Sequence, residues 1–420
     1  MAPSYRGVIW ILLAAIIATV AKLYCAVTTL GTEDVALYFR FGQVTEARGL
    51  GFAMTNPSFN HTPMVAEYVA TLFAILDGKA KWFPLLIKLP GILASFGSVL
   101  ALIWLQRQIP KIPTYAIVLF ALSPAAFMID GFHGNIDSVM TLLLLLAGCA
   151  CAASNPSWLV CALCVALAAQ IKVVALLITP VFAFYWFHRG KGLHFIASAG
   201  TGILLGWLPG ILADPAAFTK NVIGYGSVWG MWGVTFLLRQ TGNAAFQTVH
   251  WLQLTNAQLV VSQILKVAVI ACVLTAAWRN RKGDAVVLFS TIAFCWTAFF
   301  SFTPGMGVQY MAWFGPFVLI WNARWFAGLL AVVSTALFAY YQITAGSIPW
   351  YRTTSTLFLP YAPLLLLPWA TFVACAIAML KNSINRQSSD IDSSVTGNTS
   401  VTELSAGSES HVGAKCCSMQ

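Results

Sequence analysis

The chain has 420 residues, 59% of them hydrophobic and only 9% charged. A soluble domain averages about a quarter charged residues, so a soluble globular class is excluded. The net charge of +10 does not point to nucleic acid, because in so apolar a chain excess Lys and Arg mark the cytoplasmic loops of a membrane protein.

Apolar runs of about 20 residues recur along the chain, the length a helix needs to cross a bilayer. Alternating strand patterns are missing, which argues against a membrane β-barrel. The expected fold is therefore an all-α polytopic membrane protein. Cys149, Cys151, Cys161, Cys164, Cys272, Cys295 and Cys375 lie in apolar runs. They read as small apolar residues, not as a disulfide framework or a metal site.

Arg6 precedes a first span over 8–27, read as a retained helix with its N-terminus inside. A long polar break follows, 31–63, which opens an outer loop reaching residue 83. Thr32 is a candidate N-cap, with Glu33 and Asp34 in the first turn, where carboxylates suit the helix dipole. Their side chains point about 100° apart. Glu33 reads as a solvated first-turn acid, and Asp34 as the one that carries chemistry. A short interfacial helix to Arg48 has Leu37, Phe41 and Val44 on one side. Pro57 and Pro63 then hold an extended segment around Asn60 and His61. Asn60-His61-Thr62 also has the form of a glycosylation sequon.

Residues 64–76 place Val65, Tyr68, Val69, Leu72, Phe73 and Leu76 on one helical face. The segment is only about 13 residues long and carries Glu67, so it reads as an amphipathic surface helix. That choice sets the topology downstream. Further spans are expected over 84–105, 112–129, 137–153, 157–170, 173–187, 193–212, 257–277, 284–302, 307–320, 325–343 and 357–380, about twelve in all. Arg107, Lys111, Arg189, Lys191, Arg279, Arg281, Lys282, Arg324, Lys381 and Arg386 then face the cytoplasm, as do both termini. Residues 1–380 form one membrane domain. Residues 381–420, rich in Ser, Thr, Gly and Asn, read as a disordered cytoplasmic tail. The tail ends in Cys417-Ser418-Met419-Gln420, the form of a prenylation box, although a twelve-span protein gains little from a lipid anchor. No internal repeat is visible, which counts against a secondary transporter.

With this topology the unusual polar residues gather outside. They are Asp34, Asn60 and His61, then His133, Asn135 and Asp137 in HGNID, then Gln170 and Lys172, then Gln309 and Tyr310. His133 and Asp137 are four apart at a helix start and are expected to share a face. They could ligate a metal, although two ligands do not by themselves define a site, and a solvated helix cap explains them as well. Lys172 interrupts two apolar spans, where a charge needs a partner, a substrate or a snorkelling path. Lys88 lies nearer a helix end and is expected to snorkel. Lys22 and Lys266 sit deeper, explained only by pairing or by a lipid headgroup. Gly305 and Gly307 are too weak a pattern for a phosphate loop. Trp229 and Trp232 read as interfacial anchors, with a stacking platform for a sugar as the alternative.

A first span, a long outer loop with an acid near its start, surface helices and then many spans resemble the GT-C superfamily of membrane glycosyltransferases. The resemblance covers roughly residues 5–380. It looks closest to the branch of mannosyl- and glucosyltransferases that use dolichyl- or polyprenyl-phosphate sugars. TEDVALYF places Asp34 where that family keeps its first-loop catalytic acid. IKLPGIL, with Lys88 and Pro90, is similar to the Arg-Leu-Pro that often opens the next span, with Lys in place of Arg. HGNIDSV, with His133, Asn135 and Asp137, looks like the second outer-loop motif of several members. The large soluble C-terminal domain of some members is missing.

The resemblance implies transfer of a hexose, mannose or glucose, to a lipid-linked glycan or other acceptor on the extracytoplasmic or lumenal face. Asp34 would be the general base of an inverting displacement. Lys172, helped by His133, Tyr310 or Lys88, would meet the lipid phosphate, and Asn60 and His61 would position the acceptor. Asn135, Asp137 and Gln309 complete the expected substrate site. No cofactor is required, and a divalent metal between Asp34 and Asp137 is left open. The expected partners are the lipid-phosphate sugar, its acceptor and membrane lipid, with no nucleic acid. The membrane is a bacterial plasma membrane or the endoplasmic reticulum. The competing reading is a transporter or lipid flippase using the same outer residues as a binding site.

Overall fold

Backbone in hydrocarbon must satisfy its own hydrogen bonds, and the apolar runs do so as helices. The computed structural model describes residues 5–248, 253–353 and 359–383. In chain order these form α1 (Tyr5–Thr28), α2 (Glu33–Thr55), α3 (Pro63–Ile75), α4 (Phe83–Gln108), α5 (Thr114–Ala121) and a single turn α6 (Pro124–Ala126). α6 runs into a π turn, Phe127–His133, followed by α7 (Asp137–Ala152) and α8 (Trp158–Ile171). A 3-10 turn, Val173–Leu177, leads into α9 (Thr179–His188), then α10 (Gly192–Ala213), α11 (Pro215–Ala217) and α12 (Gly233–Gln240). The chain continues with α13 (Asn256–Arg279), α14 (Ala285–Phe302), a 3-10 turn Val308–Ala312, α15 (Gly315–Trp321) and α16 (Ala323–Ala345). No strand forms among the described residues; there are only isolated bridges, Gly31 to Arg352 and Trp229 to Gly305.

Eight stretches are long and apolar enough to cross a membrane: Tyr5–Thr28, Ala80–Gln108, Thr114–His133, Gly192–Ala213, Asn256–Arg279, Ala285–Phe302, Ala323–Ala345 and Ala362–Ser383. The chain is thus an all-α, multi-pass membrane protein. The four other expected spans form shorter apolar helices, Asp137–Ala152, Trp158–Ile171, Val173–His188 and Val308–Trp321. They are short because polar residues interrupt them. α7 starts only at Asp137, and α8 stops at Ile171, where Lys172 turns extended (φ −152°, ψ 129°). The expected count of about twelve therefore resolves into eight long helices and a set of short ones.

The described residues of Met1–Val373 form one compact unit. Of the second unit, Ala374–Gln420, the described part is helical. The tail after Ser383 and its prenylation-like box lie outside the described residues.

The loop after α1 folds as two helices. α2 bends at Gly49, whose φ of 79° suits only glycine without strain. α3 matches the segment expected as a surface helix, and its apolar face is used on protein: Val65, Val69 and Leu72 are buried while Glu67 is exposed. Trp229 and Trp232 are not interfacial anchors. Both are buried, and their indole N–H groups donate to the carbonyls of Phe246 and Phe300.

The π turn ends in a left-handed Gly134 (φ 86°). A Cβ there would collide with the Val35 side chain and crowd Lys88. Gly134→Ala is therefore expected to destabilise the protein by more than about 1 kcal/mol. Thermal unfolding in detergent measures this; an unchanged melting temperature would contradict the tight packing of this turn.

Candidate active site

Thr32 does not cap α2 with its side chain. Its hydroxyl and its backbone N–H instead both donate to the His133 carbonyl, at 2.8 and 3.3 Å. This ties the start of α2 to the end of the π turn and sets Asp34 against His133. The His133 Nε2 lies 3.0 Å from Asp34 Oδ2, and its Nδ1 lies 2.7 Å from the Tyr341 hydroxyl on α16. Asn135 Nδ2 approaches the same Asp34 oxygen at 3.5 Å. Glu33 turns the other way and pairs with Arg40 at 2.6 Å in an exposed position. One helical step turns Glu33 to solvent and Asp34 toward the π turn.

Burial works to raise the Asp34 carboxyl pKa. The hydrogen bond and charge of His133, with smaller help from Lys172 and His61, outweigh it and hold the carboxyl below its ordinary value. Asp34 also lies in the first turn of α2, where the helix dipole favours an anion. Its side chain remains 34% exposed, open to a recess. His61 behaves differently. Burial, reinforced by Lys172 and opposed by Asp34, pushes its imidazole down to about 3, so it is neutral at physiological pH.

Lys172 reaches both oxygens of Asp137, at 3.0 and 3.2 Å. Asp137 is fully buried and also accepts from Trp313 Nε1 at 2.8 Å. The Lys172 ammonium further lies 5.2 Å from the Tyr310 ring centre and 5.9 Å from that of Trp313. A charge that interrupts two apolar helices is thus paired, as its surroundings require.

These elements enclose a polar cavity of about 190 Å³. Its wall includes Asp34, Tyr38, Asn60, His61, Asn135, Lys172, Tyr225, Gln309 and Tyr310. A second, mostly apolar cavity of about 260 Å³ adjoins it, sharing Asn60, Lys172, Tyr225 and Tyr310. Val173, Leu177, Ile223, Val269 and Ile270 line this second cavity, together with the half-buried Lys266. The backbone around both is irregular: extended at Lys172, 3-10 at Val308–Ala312, and a loop at residues 224–230.

The structure therefore gathers Asp34, Asn60, His61, Asn135, Lys172, Gln309 and Tyr310 on one cavity wall. His133 and Asp137 stand behind it, holding Asp34 and Lys172. They do not share a helical face, because the π turn and Gly134 intervene between them. Lys88 departs from expectation. It is fully buried and does not snorkel, its ammonium bonding the Thr29 carbonyl at 3.0 Å and the Thr29 hydroxyl at 3.1 Å. It is not on the wall of the polar cavity. Gln170 also faces away, donating to the Gly202 and Ile203 carbonyls. Both Asp137 oxygens are already engaged, and no group of three or more His, Cys, Asp or Glu suited to a metal gathers among the described residues.

Sequence reasoning missed Tyr38, Tyr225, Tyr341 and Trp313. Tyr38 was within reach, lying one turn after Asp34 on the same face. Tyr225, Tyr341 and Trp313 have no local signal. Neither the Tyr38 hydroxyl nor the His61 Nδ1 has a hydrogen-bond partner among the described residues. No protein-family model matches the chain, and no curated protein matches it either.

Lys172→Met would strand the Asp137 carboxylate in the interior. It is expected to cost about 3–5 kcal/mol, whereas Asp34→Asn keeps an acceptor toward His133 and opens to the recess. Parallel thermal melts should show a large drop for Lys172→Met and little change for Asp34→Asn. Equal melting temperatures would mean that the Lys172–Asp137 pair does not hold the site.

Proposed function

We propose that the chain is a membrane glycosyltransferase of GT-C type. It moves a hexose, mannose or glucose, from a polyprenyl- or dolichyl-phosphate donor to a lipid-linked glycan or other acceptor on the extracytoplasmic or lumenal face. One observation carries the reading: an ionised, hydrogen-bonded carboxylate and a paired ammonium face the same polar cavity, beside an apolar one. Such a pair of cavities suits a sugar joined to a lipid phosphate.

In this reading Asp34 accepts the proton of the acceptor hydroxyl. The acceptor oxygen bonds to the anomeric carbon as the bond from that carbon to the phosphate oxygen breaks, with inversion. The electron pair leaves on the lipid phosphate, where a cation is needed. Lys172 has three donors and gives two contacts to Asp137, which leaves capacity for the leaving group. Its bond to Asp137 fixes its position. Asn60, Tyr38 and neutral His61 supply hydrogen bonds without charge, as hydroxyl recognition needs. Lys266 has no ion-pair partner among the described residues and lines the apolar cavity, where a lipid headgroup would offset its charge.

The test is incubation of purified protein with a panel of polyprenyl-phosphate sugars, scored by release of lipid phosphate. Asp34→Asn is expected to lower kcat at least about 100-fold while the protein stays folded. Because the Asp34 pKa is depressed, the carboxylate stays ionised as pH falls, so the acid limb should lie below the ordinary carboxylate range. His61 charges only near 3 and adds no limb between pH 5 and 8. Full activity in Asp34→Asn would remove it from the base role. Movement of lipid-linked sugar across vesicles without phosphate release would favour a transporter.

A further inference from the structure

The mechanism leaves one buried charged cluster unused. Lys22, in the last third of α1, is 3% exposed, and Asp130, in the π turn, is fully buried. The Lys22 ammonium lies 2.8 Å from Asp130 Oδ2. Ser95 on α4 donates to the same oxygen, and Ser138 on α7 donates to Oδ1 at 2.5 Å. A single carboxylate thus gathers donors from three helices.

The backbone around it is equally close. A Cβ on Gly131 would stand 3.3 Å from Lys22 Cα, so α1 runs against the π turn. A Cβ on Gly91 would stand 2.9 Å from the Asn135 carbonyl and 3.5 Å from Asp130 Oδ1, so α4 runs against it on another side. The π turn ends three residues after Asp130, at His133. π turns are rare and need support from their surroundings. A buried ion pair is weak evidence for stability but is well suited to choosing one conformation over others.

We infer that Lys22 and Asp130 are positioning residues, whose pairing locks the π turn so that His133 is presented to Asp34. The inference rests on Asp34, held by His133, being the general base of the proposed transferase. Neither Lys22 nor Asp130 lines the polar cavity; both act through His133.

The informative variant is the double substitution Lys22→Met with Asp130→Asn. Each single substitution strands a buried charge or leaves an ammonium without its counter-ion, whereas the double removes both charges and leaves a side-chain amide able to bond Ser95 and Ser138. The double variant is expected to melt within a few degrees of the wild type. Its kcat should fall at least tenfold with the donor KM within about twofold. The acid limb of its pH profile should move up, a change that a smaller folded fraction cannot produce. The titratable and charged groups around Asp34 are His133, Lys172 and His61, with the tyrosines Tyr38, Tyr225, Tyr310, Tyr340 and Tyr341. Without His133, burial has less opposing it, and the carboxyl pKa rises.

His133 also gives a readout that needs no substrate. It is 4% exposed in the intact site, so diethyl pyrocarbonate should spare it in the wild type and modify it in the double variant, scored by mass spectrometry. Wild-type kcat, an unmoved acid limb and a protected His133 in the folded double variant would overturn the inference. If the double variant does not fold, Ser138→Ala and Ser95→Ala, which weaken the hold without stranding a charge, carry the same readouts and outcomes. If the wild type transfers no sugar, the transferase reading fails and the labelling of His133 alone decides the inference.

Discussion

A charge in an apolar interior needs a partner, and this fold supplies most of its buried pairings from one short stretch. Among the described residues, two buried ion pairs, Lys22–Asp130 and Lys172–Asp137, and the hydrogen bond between His133 and Asp34 each take one member from residues 130–137. Their partners come from α1, from α2 and from the end of α8. The remaining pair, Glu33–Arg40, is exposed and joins residues of one helix. The stretch 130–137 therefore acts as a hub. Its own geometry, a π turn followed by a left-handed glycine, is what points successive polar side chains at three different helices.

The hub also explains why the polar cavity sits where helices stop. A continuous helix buries its backbone groups and presents only side chains. Here α7 begins at Asp137, α8 ends before Lys172, and the chain near Gln309 and Tyr310 is a 3-10 turn. These interruptions create the recess and place polar side chains around it. They also make the four short apolar helices too short to count as spans. Site and interrupted helices are one physical fact, seen first as chemistry and then as architecture.

The first loop was legible because its signals are local. Two acids in a helix's first turn, separated by about 100°, leave one facing inward, and Asp34 is the one that meets His133. Asn60 and His61 stand out as polar residues between prolines, and Lys172 as a charge inside an apolar run. Lys88 misled because its distance from a helix end suggests a path to water, whereas the Thr29 carbonyl supplies a partner within the protein. Trp229 and Trp232 misled for a related reason: their composition fits an interface, but the loop that carries them packs inward.

Sequence by itself determined the class of this protein and the helical character of its apolar runs, because hydrophobic length and the need to satisfy backbone hydrogen bonds are properties of contiguous residues. It also marked individual polar residues as costly where they stand. Only the tertiary structure decided their pairings: Lys22 with Asp130, Lys172 with Asp137, and His133 between Asp34 and Tyr341. Those partners lie far apart in the chain, and no periodicity connects them. Which buried charge meets which is set by how the helices cross and where the π turn aims its side chains.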